Sequence, residues 1–293
     1  MTTSTGQIFD LGYQPYTGPR QGRGRARWAL YSTSLKMAFG IGRGGRAKII
    51  PFLLLGFALV PAAIQLGIVA VIGDQFTPIR YDNYLTITSL LQTLFCAMVA
   101  PELLCPDRRN RTLSLYFAHA ISRLDYALMK SLALFTALLS IALGPQLLLF
   151  IGHVLSAGSA LDYLKDNLDV IPRIMAAAAL VSLLLGSLAL AVAALTARRI
   201  FAAGGFIALT LISTATATAI WETFQTNGAR VTMLFALGDL AFGAVAWIFD
   251  VPYEPGGLAA STDLPGAVLV LATLAWAFGG LLLVAWRYLR WEP

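Results

Sequence analysis

Six runs of twenty or more mostly apolar residues, at 49–72, 84–104, 126–155, 170–196, 200–221 and 264–283, constrain this chain more than any other feature. About 20 apolar residues in a helix cross the hydrocarbon core of a bilayer. A helix also satisfies its own backbone polar groups where no water can. Charged residues are 12% of the 293, against roughly 25% in a soluble domain. The pattern predicts an all-α integral membrane protein with six transmembrane helices, residues 48–293 forming one membrane domain and residues 1–47 a polar arm. The arm is rich in Gly and Arg and has no apolar core of the kind a cleavable signal peptide carries. A multi-pass protein of the plasma membrane is expected.

Charge sets the expected orientation, because Lys and Arg collect on the cytoplasmic side. With the N-terminus inside, 17 of the 21 basic residues fall in inner segments, and only Arg80, Lys165, Arg173 and Arg230 fall outside. Ten of the fifteen acidic residues lie outside. Both termini are therefore predicted to be cytoplasmic. One further apolar stretch, 228–249, contains Arg230 and Asp239. A charge near a helix centre costs about 2.5–3.5 kcal/mol on insertion scales, so residues 223–263 read as an outer, re-entrant helical excursion before the last span. A true seventh span is the alternative.

Two inner segments carry surface chemistry. In Arg25 to Phe39, Trp28, Tyr31, Leu35 and Phe39 share one helical face beside Arg25, Arg27 and Lys36. This suits an interfacial helix with its cations near anionic headgroups, or a helix packed on a protein surface. Residues 106–130 mix cations with Leu113, Leu115, Tyr116, Phe117, Ile121 and Leu124. They form either a short docking helix along the membrane or a solvated connection.

Nothing in the chain reads as an engine. The Gly40 to Ala47 stretch lacks the Lys-Ser/Thr pair of a phosphate-binding loop. The span centres carry no acidic residue of the kind that marks coupled secondary transport. His119 and His153 have no acidic neighbours, and Cys96 and Cys105 join no metal-ligand cluster. Gln65, Gln92 and Gln146 lie deeper, and Thr210, Thr214 and Thr218 share a face of the fifth span. Such hydroxyls serve helix–helix contacts or line a mildly polar path. The Ala-rich fourth span permits close packing.

The run from Pro101-Glu102 through Asp107, Arg111-Thr112-Leu113, Ile121-Ser122-Arg123, Tyr126 and Lys130 resembles the permease subunits of type-2 ABC exporters. Tyr13, Tyr16, Gly18 and Arg20 ahead of a Trp-bearing helix are similar to actinobacterial members. The chain departs from that pattern at Arg111, where the family usually has Gly, and at Ala120, where Pro is common. The resemblance implies a permease that forms an export pathway and couples to separate ATPase subunits, which would bind ATP and Mg²⁺; it implies no cofactor or catalytic site in this chain. Its coupling element would lie in residues 106–125, with Arg108, Arg109, Arg111, Leu113, Tyr116, Phe117 and Arg123 meeting the ATPase. The second and fifth spans would line the path through Thr88, Gln92, Phe95, Thr210, Thr214 and Thr218. A second permease copy or paralogue and membrane lipid are the other expected partners, and nucleic acid is not. An ATP-independent carrier or a membrane scaffold is the alternative function.

Overall fold

The structure is a computed structural model that describes residues 22–73, 79–118, 121–253 and 257–290. The Tyr13, Tyr16, Gly18 and Arg20 pattern, His119 and Ala120 lie outside the described residues. Every regular element among the described residues is helical. Six helices are long and apolar enough to cross a membrane, as in a multi-pass membrane protein.

The first helix, α1 (Arg23–Ala38), is followed by a Gly-rich turn and then by α2 (Gly45–Ile72). The next apolar run divides into α3 (Tyr81–Ile87) and α4 (Ser89–Arg109). The break at Thr88 is filled locally. Thr88 Oγ1 donates to the Tyr84 carbonyl at 2.9 Å, and Gln92 Nε2 donates to Thr88 Oγ1 at 2.9 Å and to the Leu85 carbonyl at 3.4 Å. After α5 (Leu113–Phe117) comes α6 (Arg123–Ser156), the longest helix. Its 34 residues span about 51 Å at 1.5 Å per residue, well beyond an apolar core of about 30 Å. A capping box starts it, with Ser122 Oγ accepting from the Asp125 N–H at 3.1 Å and Asp125 Oδ2 accepting from the Ser122 N–H at 3.1 Å.

The short α7 (Ala160–Asp166) leads to α8 (Val170–Leu195) and α9 (Arg199–Phe224). Of the six long helices α8 is the most enclosed. Its alanines allow neighbours to approach closely, and at α12 (Gly266–Leu289) a Cβ on Gly280 would lie 3.0 Å from the Ser187 backbone. Small residues at such crossings let backbones meet. α2 and α9 are the least enclosed, with large apolar side chains such as Phe57, Ile64, Leu211 and Ile212 exposed.

Between α9 and α12 lies the excursion: a 3-10 helix (Ala229–Phe235), α10 (Leu240–Phe249) and α11 (Leu258–Thr262). The first two meet at 96°. Ten helical residues reach only about 15 Å, so α10 alone is half of what crossing a bilayer needs. Their apolar faces pack in a small core of Met233, Leu240 and Leu258 with Leu180, Ala217 and Leu269.

The apolar runs underestimate several helices, because charged residues continue them. α4 extends to Arg109 and α12 to Leu289. The predicted apolar face of α1 divides. Tyr31 OH donates to Thr136 Oγ1 of α6 at 3.1 Å, and Leu35 and Phe39 pack on the main core, while Trp28 is exposed. α1 thus takes the protein-packed form for three of its four face residues.

Candidate functional site

Side-chain contacts draw one end of the bundle together, the end that holds the starts of α2, α6 and α9 and the finishes of α4, α8 and α12. Residues 106–130 form its centre. Lys130 is almost wholly enclosed, and its Nζ lies 2.9 Å from Asp107 Oδ2 and donates to the Leu103 carbonyl at 2.9 Å. Tyr126 OH donates to the same Asp107 oxygen at 2.7 Å, and Thr112 Oγ1 donates to Oδ1 at 3.4 Å. A buried ammonium and carboxylate survive away from water only when each is paired and hydrogen-bonded. Here both are.

The cations around this pair serve helix ends. Arg108 donates to the Ala194 carbonyl at the finish of α8, and Arg123 Nη1 donates to the Leu289 carbonyl at the finish of α12, at 2.8 Å. Both place positive charge on unsatisfied C-terminal carbonyls, where the helix dipole favours it. Glu102 binds Arg43 of the Gly-rich turn at 2.6 Å and also Arg199 at the start of α9. Asp125 binds Arg23 and Arg27 of α1 at 2.7 and 2.8 Å.

This network decides where the expected coupling residues fall. Leu113 is fully buried, and Tyr116 and Phe117 turn their rings onto Tyr126, with centroids 5.6 and 6.0 Å away. Burial first, and the Asp107 charge second, push the Tyr116 hydroxyl pKa up. Arg108 and Arg123 are engaged as above. Arg109 and Arg111 are exposed, together with Ser114 and Leu115. Arg111 takes φ 55°, a left-handed conformation that glycine adopts without cost.

At the other end a cleft of about 660 Å³ opens between the start of α4, the middle of α9 and the excursion. Thr210 and Thr214 line it, and Thr86, Ser89 and Thr93 face them from the α3–α4 wall. Thr218, one turn further along α9, is not part of the lining. Thr88, Gln92 and Phe95 are fully enclosed in the bundle on another face of α4 and do not line the cleft. The spacing of Thr86, Ser89 and Thr93, three then four residues, is a helical stripe of hydroxyls that could have been read from the sequence.

The α9 hydroxyls also hold the excursion in place. Ser213 Oγ accepts from the Leu237 N–H at 3.2 Å and Thr214 Oγ1 from the Gly238 N–H at 3.1 Å. A Cβ on Gly238 would lie 2.7 Å from Thr214 Oγ1, so glycine is what lets the backbone approach. Trp276 Nε1 of α12 donates to the Leu234 carbonyl at 2.8 Å. A second cavity, about 390 Å³, adjoins the cleft through Arg80, Asp82 and Val251. His153 lines it, with Nδ1 2.8 Å from Tyr81 OH, which is itself 3.3 Å from Tyr163 OH.

No group of three or more His, Cys, Asp or Glu residues that could hold a metal ion occurs among the described residues. No protein-family model and no curated protein matches the sequence.

Proposed function

We propose that this chain is the membrane subunit of an ATP-driven exporter, with both termini in the cytoplasm. In this reading it couples to separate ATPase subunits through the segment around α5 and pairs with a second copy or a paralogue. The 17-to-4 division of basic residues supports the orientation. It puts the ion-paired end inside and the cleft outside, and it makes the bent excursion a re-entrant pair in the outer half of the membrane.

The observation that carries the coupling role is the mounting of α5. Arg109 at the finish of α4, Arg111 of the turn after it, and Ser114 and Leu115 of α5 face outward. α5 rests through Tyr116 and Phe117 on Tyr126, beside the Asp107–Lys130 pair and the ties of Arg108 to α8 and Arg123 to α12. In this reading a push on the segment passes through Tyr126 and Asp107 to α6 and α4, and from their ends to α8 and α12. A connection that merely joined two spans would need none of these ties. The left-handed backbone at Arg111 falls where the resembled family usually has glycine, which favours the same reading. The apolar faces of α2 and α9 leave room for a second permease subunit or lipid.

The mechanism that follows is positional. ATPase subunits closing on ATP would draw the α5 elements of two permeases together, tilt the helices attached to them, and open the cleft side. The test is purification from the native host in gentle detergent, with mass spectrometry of what co-elutes. The expected result is a stoichiometric ATPase that is lost when Arg109→Glu, Arg111→Glu and Leu115→Asp are combined, in protein that still elutes as a folded species. A chain that runs alone even after mild cross-linking would remove the ATP-driven reading in favour of an independent carrier.

A further inference from the structure

Among the described residues, three charged side chains line the cleft, Arg80, Asp82 and Asp239. Two of them neutralise each other: Arg80 Nε lies 3.1 Å from Asp82 Oδ1. Asp239 is different. It sits at the N-cap position of α10, yet its side chain makes no capping bond to that helix. Among the described residues no cation lies within ion-pair distance of its carboxylate. Among the described lining residues, Asp239 is thus the carboxylate without a charged partner.

Its surroundings give that charge reach. Phe242, Met233 and Leu258 of the excursion, Leu211 of α9 and Leu90 of α4 are apolar residues of the lining. Apolar walls limit the screening water supplies, so a carboxylate there attracts a cation more strongly than one on an open surface. Phe242 and Tyr253 add aromatic faces to the lining, and such faces also attract cations. A volume of about 660 Å³ lies within the range of roughly 300–1,000 Å³ that encloses a drug-sized molecule.

We propose that the cleft binds an amphipathic molecule bearing a single positive charge, with Asp239 as its counter-ion and the apolar walls holding its hydrophobic body. This names a cargo class for the exporter and rests on that reading for the cleft's role in transport. Binding itself does not depend on it. Thr210 and Thr214 on one wall, and Thr86, Ser89 and Thr93 on the other, provide hydroxyls for whatever polar groups the molecule has, and set no charge preference of their own.

The experiment is equilibrium dialysis of the purified full chain in nonionic detergent against two probes of nearly equal size and opposite charge, tetraphenylphosphonium and tetraphenylborate, corrected with protein-free micelles. Saturable binding of the cation and not of the anion is expected. Asp239→Asn should weaken cation binding at least tenfold and Asp239→Glu should keep it. Asp162→Asn, which removes a carboxylate from α7 away from the cleft, should leave it unchanged. Thr93→Trp, which narrows the cleft from the opposite wall with Asp239 intact, should also weaken it. The proposal is overturned if the two probes bind alike, if the cation does not saturate, or if either Asp239→Asn or Thr93→Trp binds it as the parent does. Cation binding by a chain that brings down no ATPase would keep the site and sink only the ATP-driven reading. Absence of binding in a chain that does retain its ATPase would sink the cation site alone.

Discussion

The two ends of the bundle are built on opposite plans. At the α5 end, Asp107, Glu102 and Asp125 each hold at least one cation, and Arg108 and Arg123 close helix termini, while Arg109 and Arg111 stay exposed. At the cleft end, helices give way to short, bent pieces, cavities open between them, and Asp239 faces space. The exporter reading proposed above calls for both qualities. One end must move as a unit when pushed, and the other must have parts that separate. Rigidity here comes from polar groups satisfied across helices, and openness from backbone held by a few single hydrogen bonds.

The largest effect should come from breaking the first plan at its buried pair. Lys130→Met would leave Asp107 enclosed without its cation. Breaking a buried pair from one side costs about 3–5 kcal/mol, enough to lower the yield of folded protein and its melting temperature in detergent. The Leu103 carbonyl keeps the Asp107 N–H of its own helix, so the loss comes from the enclosed charge, and combining the change with Asp107→Asn should recover much of it. A double variant as unstable as the sum of the singles would show that the pair is not the unit of stability at this end.

The second plan should fail more locally. Ser213→Ala with Thr214→Val removes the hydroxyl acceptors for the Leu237 and Gly238 N–H groups. The Leu237 N–H keeps the Phe235 carbonyl at 2.9 Å, so the Gly238 N–H is the donor left unsatisfied, at about 1–3 kcal/mol, and the loss should fall on the excursion. Hydrogen exchange should rise across residues 229–249 with little change around α5. Equal loss of protection at both ends would mean that the ends are one cooperative unit, and the contrast drawn above would go.

Much of this was legible before any coordinates. Long apolar runs announce spanning helices because the bilayer leaves the backbone no other choice. The 96° bend falls in the stretch that Arg230 and Asp239 made unsuitable as a span. Other features depend on which partner a polar residue finds. Gln92 and Thr210 are both polar residues in apolar helices, yet one fills a break in its own helix and the other lines a cleft. Periodicity cannot separate these cases, since both side chains donate to carbonyls of preceding residues, Gln92 to that of Leu85 and Thr210 to those of Phe206 and Ile207. Lys130 did carry a signal: a charge within a predicted apolar run needs a partner nearby. Asp107, 23 residues earlier, becomes that partner only once α4 and α6 are packed side by side. The same holds for α5, whose outward residues are known only once Leu113, Tyr116 and Phe117 have turned inward.

The smallest effect concerns backbone, and it asks whether the α5 end carries strain as well as rigidity. Arg111 at φ 55° is a side-chain-bearing residue in left-handed space, which costs about 1–2 kcal/mol for an ordinary L-residue. Glycine would relieve that cost while adding freedom to the unfolded chain, so Arg111→Gly should raise stability by a net amount on the order of 0.5 kcal/mol. Asp250, at φ 57° where α10 finishes at the cleft end, is the matching control. Aspartate tolerates this conformation better than arginine, so Asp250→Gly should gain less. Melting curves of the two variants side by side read the difference directly. If Arg111→Gly gains nothing, its exposed guanidinium already offsets the strain through contacts on this chain, and Arg111 is then a weaker candidate for a surface that meets a partner. If it gains stability but, under the proposed reading, loses an ATPase that the parent retains, the strain is the cost of presenting a cation at this turn.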